Sequence, residues 1–148
     1  MRAVVQRVRD CSVRVDAQVL GAIQNGLLIY LGVGKKDTQD SVGLLVDKVA
    51  NLRIFADDQG KMNRSALDVQ GQIMVVSQFT LFGDVRGGRR PSFSEAADGT
   101  AARPLYESFV AGLAAKGLTV ATGQFAAIME VSYTNMGPVT ILIDTEQL

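Results

Sequence analysis

The chain has 148 residues, 15 Lys and Arg against 15 Asp and Glu, 47% apolar side chains, one cysteine and no histidine. A domain of this length buries roughly 68–70% of its unfolded surface, so one core suffices without staples, and the lone Cys11 closes no intrachain bridge. The missing imidazole excludes Ser-His-Asp and Cys-His nucleophiles and the usual zinc ligand sets, and the zero net charge leaves any polyanion partner dependent on a local patch.

From the N-terminus, Val4, Gln6 and Val8 alternate with Val5 and Arg7, and Val13 and Val15 alternate with Ser12, Arg14 and Asp16, which predicts antiparallel hairpin strands. Asn25-Gly26 is a tight-turn dipeptide, followed by Leu27-Leu28-Ile29-Tyr30-Leu31, an apolar run fit for a central strand covered on both faces. The period then changes. Val42, Leu45, Val46, Val49 and Leu52 follow helical spacing, with Asp37 and Thr38 as caps. Asp57-Asp58-Gln59-Gly60 marks a turn, and Ile73-Met74-Val75-Val76 predicts a buried strand ending in the polar Ser77-Gln78.

Residues 83–100 are rich in Gly, Arg, Pro and Ser, a loop of a length that is usually functional or mobile when it lacks secondary structure. A second helix follows, with Pro104 near its first turn, Leu105, Phe109 and Leu113 on one stripe and Gly117 at its end. Strands are predicted at 118–121, 128–133 and 139–143, the last two separated by Asn135-Met136-Gly137-Pro138. The pattern predicts a single α+β domain spanning 1–148, with antiparallel and mixed strands in a barrel-like core and two main helices. Met1 to Arg7 lacks a signal-length apolar run and no stretch approaches the roughly 20 apolar residues of a membrane span, so a soluble cytoplasmic protein is expected.

Several motifs admit a plain structural explanation. Gly32-Val33-Gly34-Lys35-Lys36 resembles the end of a phosphate loop but has Ile29 and Lys36 where that pattern needs glycine and Ser or Thr. Asp57-Asp58 is better explained as a solvated turn than as an acid-base pair. Ser77-Gln78-Phe79-Thr80-Leu81 either caps a strand or presents hydroxyls and backbone donors to a ligand; without histidine, a serine or threonine nucleophile would need a lysine, a carboxylate or the substrate as its base. Gly137-Pro138 is an ordinary turn or a close backbone approach, and Arg86, Arg89, Arg90 and Arg103 either solvate a loop or neutralise phosphates.

Taken together, Gln6-Arg7-Val8, Lys61-Met62-Asn63, Ser77-Gln78-Phe79-Thr80-Leu81, Arg90-Pro91-Ser92-Phe93 and Gly137-Pro138-Val139-Thr140, in this order, resemble the D-aminoacyl-tRNA deacylases over essentially the whole chain. The family commonly carries an acidic residue where Met136 stands, and its loop around Arg89 varies. The resemblance implies a cytoplasmic homodimer that proofreads translation by hydrolysing the ester between a D-amino acid, or misattached glycine, and the 3′-terminal adenosine of tRNA. It implies that Ser77, Gln78, Phe79 and Thr80 form the catalytic segment, with the Phe79 N–H facing the developing oxyanion. It also implies that a cis Gly137-Pro138 peptide from the partner rejects L-amino acids, with Arg7 bracing that turn across the subunit interface and Met136, Val139 and Thr140 supporting it. Arg86, Arg89 and Arg90 are candidate tRNA contacts, and no metal, cofactor, membrane or DNA is expected. A non-catalytic tRNA- or DNA-binding module and a hydrolase of small D-amino acid esters remain the competing readings.

Overall fold

A computed structural model describes all 148 residues. Two long strands, β1 (Arg2–Val15) and β2 (Gln18–Gly32), form a hairpin. The turn between them is Asp16-Ala17, both with positive φ, the geometry whose twist matches the flanking strands. Asn25-Gly26 is therefore not the predicted turn: it lies inside β2. A Cβ on Gly26 would stand 1.7 Å from the Gln72 carbonyl oxygen, so glycine serves close strand approach here.

Helix α1 (Gln39–Ala50) starts after Thr38, whose N–H donates to Ser41 Oγ at 3.3 Å, and ends two residues before Leu52. A small hairpin, β3 (Phe55–Ala56) and β4 (Met62–Arg64), encloses the expected turn at 57–60. Strand β5 (Gln72–Ser77) leads through a 3-10 turn (Phe79–Phe82) into the loop, and α2 spans Gly99–Ala115. Asp98 caps α2 by accepting from the Ala101 N–H at 2.9 Å. The helix thus begins earlier than expected and Pro104 is its sixth residue rather than a first-turn one. Its end is built as predicted: Gly117 N–H donates to Ala114 O and Leu118 N–H to Leu113 O, at 2.9 and 3.4 Å.

Strand β6 (Val120–Thr122) and the 15-residue β7 (Glu130–Asp144) complete the sheet in the order β6-β5-β2-β1-β7. The two strands expected around Gly137-Pro138 are one, interrupted by an irregularity opposite Arg7 between the Gln6–Thr140 and Val8–Asn135 pairs. The sheet is mixed, since β5 runs parallel to β2 and β6. It is open rather than a closed barrel: its edges, β6 and β7, do not pair. Three-residue β6 offers too short an edge to close against β7.

Alternation along the central strands explains the layers. Leu27, Ile29, Leu31, Ile73 and Val75 pack with Val42, Leu45, Val49, Phe109 and Leu113 of the helices. Leu28, Met74 and Val76 point to the other face, where Val8, Cys11, Val13 and Ile23 cover them. The far halves of β1 and β2 thus supply the second cover, and β1 breaks register at Asp10, whose φ is +51°. Burying each of these aliphatic side chains contributes about 1.5–3 kcal/mol.

Candidate active site

Strand β5 is fully buried from Ile73 to Val76 and loses that cover at Ser77, where its polar groups emerge. The Gln78 N–H donates to Leu31 O at 2.8 Å, the last main-chain bond holding the segment to β2. The chain then coils, and the N–H groups of Phe79 and Thr80, which open the 3-10 turn, have no acceptor within it. The Gln78 side-chain amide donates to Thr80 Oγ1.

Beside this turn lies a cavity of about 570 Å3 lined by 16 residues, of which only Ser77, Gln78 and Gly99 are not hydrophobic. Its walls come from the ends of β2 and β5, from Ala102 and Tyr106 of α2, from Phe125 to Met129 and from Val131 of β7. Tyr106 is the sole titratable group in the lining. Its hydroxyl donates to Val75 O at 3.0 Å, and burial, helped by the Glu107 charge, pushes its pKa up to about 12. At neutral pH the cavity therefore holds no carboxylate, amine or imidazole able to act as a general base.

The structure brings Ser77, Gln78 and Phe79 together at this cavity and places Gly137-Pro138 elsewhere. Ser77 pairs with Leu31, whereas Arg7, opposite the β7 irregularity, pairs with Leu27, four residues along β2. From β5 to β7 the sheet crosses β2 and β1, three strand spacings. These offsets amount to about 13 Å along and about 14 Å across the sheet.

The Gly137-Pro138 peptide is cis, and Gly137 has φ +119°. A Cβ there would meet Arg7 Nη2 and Val139 Cγ2, each at 2.8 Å, which leaves glycine as the residue that fits. Arg7 Nε donates to Met136 O at 3.2 Å and Arg7 Nη1 to Ile54 O at 2.6 Å, so the arginine ties this segment to the loop after α1 within one protomer. Arg7 and Met136 also line a separate groove of about 1100 Å3. Thr140 Oγ1 accepts from Gln6 Nε2 at 3.0 Å and Asn135 Nδ2 at 3.2 Å, and the Val139 N–H donates to Asn135 Oδ1 at 3.3 Å.

The arginines of the loop separate. Arg86 forks onto Asp84, at 2.7 Å for its shortest contact, and holds that carboxyl down at about 2. Arg103 pairs with Glu107 at 3.5 Å and lies over the Phe125 ring. Arg89 and Arg90 are exposed and enter no ion pair. Gly32 and Gly34 form no phosphate loop; the Phe82 ring packs into the space beside both.

Sequence reasoning missed Tyr106, Phe125 to Met129 and Asn135. Tyr106 was accessible from the Ala102, Tyr106, Phe109, Leu113 spacing that marks the buried face of α2. The 125–129 segment carries no periodicity to identify it.

Residues 4–144 match the family model described as D-Tyr-tRNA(Tyr) deacylase. The chain belongs to this family. A D-aminoacyl-tRNA deacylase from Roseiflexus castenholzii is 58% identical over 98% of this chain and 92% of its own length. One from Thermotoga petrophila is 55% identical over 100% and 99%. Among solved structures, a c-Myc DNA unwinding element binding protein superposes with a TM-score of 0.91 at 40% identity, over 97% of this chain and 98% of its own. A probable eukaryotic D-amino acid tRNA deacylase shares the fold, with a TM-score of 0.81 at 17% identity over 96% and 97%. The family expected from the motifs is thus the family found. No helix is long and apolar enough to cross a membrane.

Proposed function

We infer that this protein hydrolyses the ester linking a D-amino acid, or misattached glycine, to the 3′-terminal adenosine of tRNA. The observation that carries this reading is the apolar cavity at the end of β5, lined by Phe79, whose N–H has no acceptor, and devoid of a general base. Such a site can hold an acyl group and stabilise an oxyanion but cannot deprotonate water, so the base belongs to the substrate. Water activated by the 2′-hydroxyl of the terminal ribose attacks the ester carbonyl. The Phe79 N–H stabilises the oxyanion, the bond from acyl carbon to ribose oxygen breaks, and the proton passes to that oxygen. A donor so placed is worth about 2.7–4 kcal/mol in other hydrolases. Dependence on a 2′-hydroxyl selects RNA over DNA and fits a cytoplasmic translation-editing role.

Rejection of L-amino acids falls to the Gly137-Pro138 main chain, lent by the partner of a homodimer. Two features support this. The segment is exposed and lies six residues, about 20 Å, along β7 from Val131, where that strand lines its own cavity, so one protomer does not present both together. Arg7, bonded to Met136 O and Ile54 O, stiffens it against displacement. A rigid obstacle discriminates by clash where an apolar pocket would supply only about 1–3 kcal/mol per methylene. Single-turnover deacylation of D- and L-aminoacyl-tRNA, with a free D-amino acid ethyl ester as comparison, tests the assignment. Rapid hydrolysis of the D-aminoacyl-tRNA alone is expected. Equal rates on the free ester would remove RNA from the reaction, and strong salt-dependent binding without hydrolysis would make the protein a binding module.

A further inference from the structure

We propose that a second cavity, separated from the acyl cavity by Phe79, binds the nucleotide preceding the terminal adenosine of the substrate RNA. This rests on the deacylase reading and deepens it. The cavity has a volume of about 630 Å3 and shares Phe79 and Ala97 with the acyl cavity; Phe93, Ser94 and Lys35 line its outer side.

Three observations point to single-stranded RNA as the occupant. First, Phe79 and Phe93 are 56% and 36% exposed, and their rings meet edge to face at 5.0 Å. Exposed aromatic faces beside a catalytic pocket are the platforms on which unpaired bases stack. Second, Lys35 offers a phosphate a cation. Lys35 is exposed and forms no ion pair. Of the two carboxylates in the lining, Asp37 is neutralised by the Met1 ammonium and also accepts from the Gly34 N–H at 2.6 Å, while Asp98 keeps its charge and turns one oxygen to the Ala101 N–H at 2.9 Å. Third, the shared wall sets the order along the strand. With the terminal ester against the Phe79 N–H, the ribose and base that carry it lie over the Phe79 ring, and Phe93 is the next aromatic surface, met by the nucleotide before them. The cavity is also anchored, because Gly34 and Ala96 form a β-bridge and the Lys35 N–H donates to Glu95 O at 3.0 Å.

The test compares a D-aminoacyl ester on adenosine alone with the same ester on a trinucleotide ending in adenosine, as the ratio of their kcat/KM values. The wild-type protein favours the trinucleotide. Phe93→Leu reduces that preference by roughly tenfold or more, the loss expected for one stacked base, and Phe93→Tyr, which keeps the ring, restores it. Lys35→Gln lowers the magnitude of the log-log salt slope of trinucleotide binding by about 0.7, the value for one phosphate on a single strand. A wild-type enzyme indifferent to length, a ratio unmoved by Phe93→Leu, or equal losses on both substrates would each overturn the proposal while leaving deacylation intact. Hydrolysis of neither substrate by the wild type would overturn the deacylase reading and this one with it.

Discussion

The Gln78 side-chain amide donates a hydrogen bond to the Thr80 hydroxyl, and no acidic or basic side chain bonds to that oxygen. Thr80 is thus positioned without being activated, because a hydroxyl nucleophile needs a base to remove its proton.

Thr80→Ala should therefore retain most activity. A single-turnover rate on D-aminoacyl-tRNA within about tenfold of wild type is expected, whereas loss of a true nucleophile costs on the order of a millionfold in kcat in a serine protease. A dead variant would mean that Thr80 attacks the ester and that its base has been overlooked.

Removing the terminal ribose 2′-hydroxyl from the substrate makes the complementary test. Since the acyl cavity offers only a tyrosine that stays protonated to about pH 12, the deoxy substrate should react about 10²- to 10⁴-fold more slowly, the range of general acid-base contributions. An unchanged rate would show that the protein activates the water.

How much of this could be read beforehand depended on whether local or long-range contacts decide each element. The period change from Leu31 to Val42 and the polar end of β5 are local, and both were legible. Asn25-Gly26 misled because the dipeptide has two uses, and only the 1.7 Å approach of Gln72 separates them. Gly137-Pro138 has the composition of a turn, but β7 runs through it because Arg7 and Asn135 hold its main-chain groups across the irregularity. An open sheet was not distinguishable from a closed one, since a short strand at 118–121 was expected but its pairing with β5 at the sheet edge was not. The acyl cavity was half legible: its strand-end motif stands in the sequence, while its apolar walls come from α2 and from 125–129, distant in the chain.

Gly26→Ala gives a stability test of the β2–β5 pairing. The added methyl meets backbone atoms of Gln72 at 1.7, 2.6 and 2.8 Å, none able to swing aside as a side chain would. Overpacking of this kind costs about 1–3 kcal/mol or more. The urea midpoint should fall accordingly, with no change in slope. An unshifted midpoint would mean that the two strands are further apart than described.

The loop arginines should divide by their pairing. Asp84 titrates at about 2, first because of its side-chain hydrogen bond from Arg86. A carboxyl held below its ordinary 3.8 stabilises the loop above that pH and loses this contribution as pH falls toward 2. Carboxyl carbon shifts followed by NMR should show the low midpoint, and Arg86→Ala should return it toward 3.8. Arg89 and Arg90 enter no ion pair, which leaves their charge available to a phosphate. Arg89→Ala and Arg90→Ala should each weaken tRNA binding and flatten its salt dependence more than Arg86→Ala does; the reverse order would exclude them as contacts.

Arg7 offers the test of a shared site. Its guanidinium reaches Met136 O and Ile54 O with different nitrogens, a fork that lysine cannot reproduce. Arg7→Ala should loosen the Gly137-Pro138 segment and raise hydrolysis of L-aminoacyl-tRNA relative to the D substrate, and Arg7→Lys should not rescue it. If the obstacle acts in trans, mixing settles which subunit supplies it. Subunits carrying Arg7→Ala are combined with subunits whose acyl cavity is plugged by Ala127→Trp. The only open cavity in such a mixed dimer then faces an intact segment, and L-rejection returns. Continued hydrolysis of L-aminoacyl-tRNA by the mixed dimer would mean that each protomer polices its own cavity, against the distance along β7 between Val131 in the lining and Gly137.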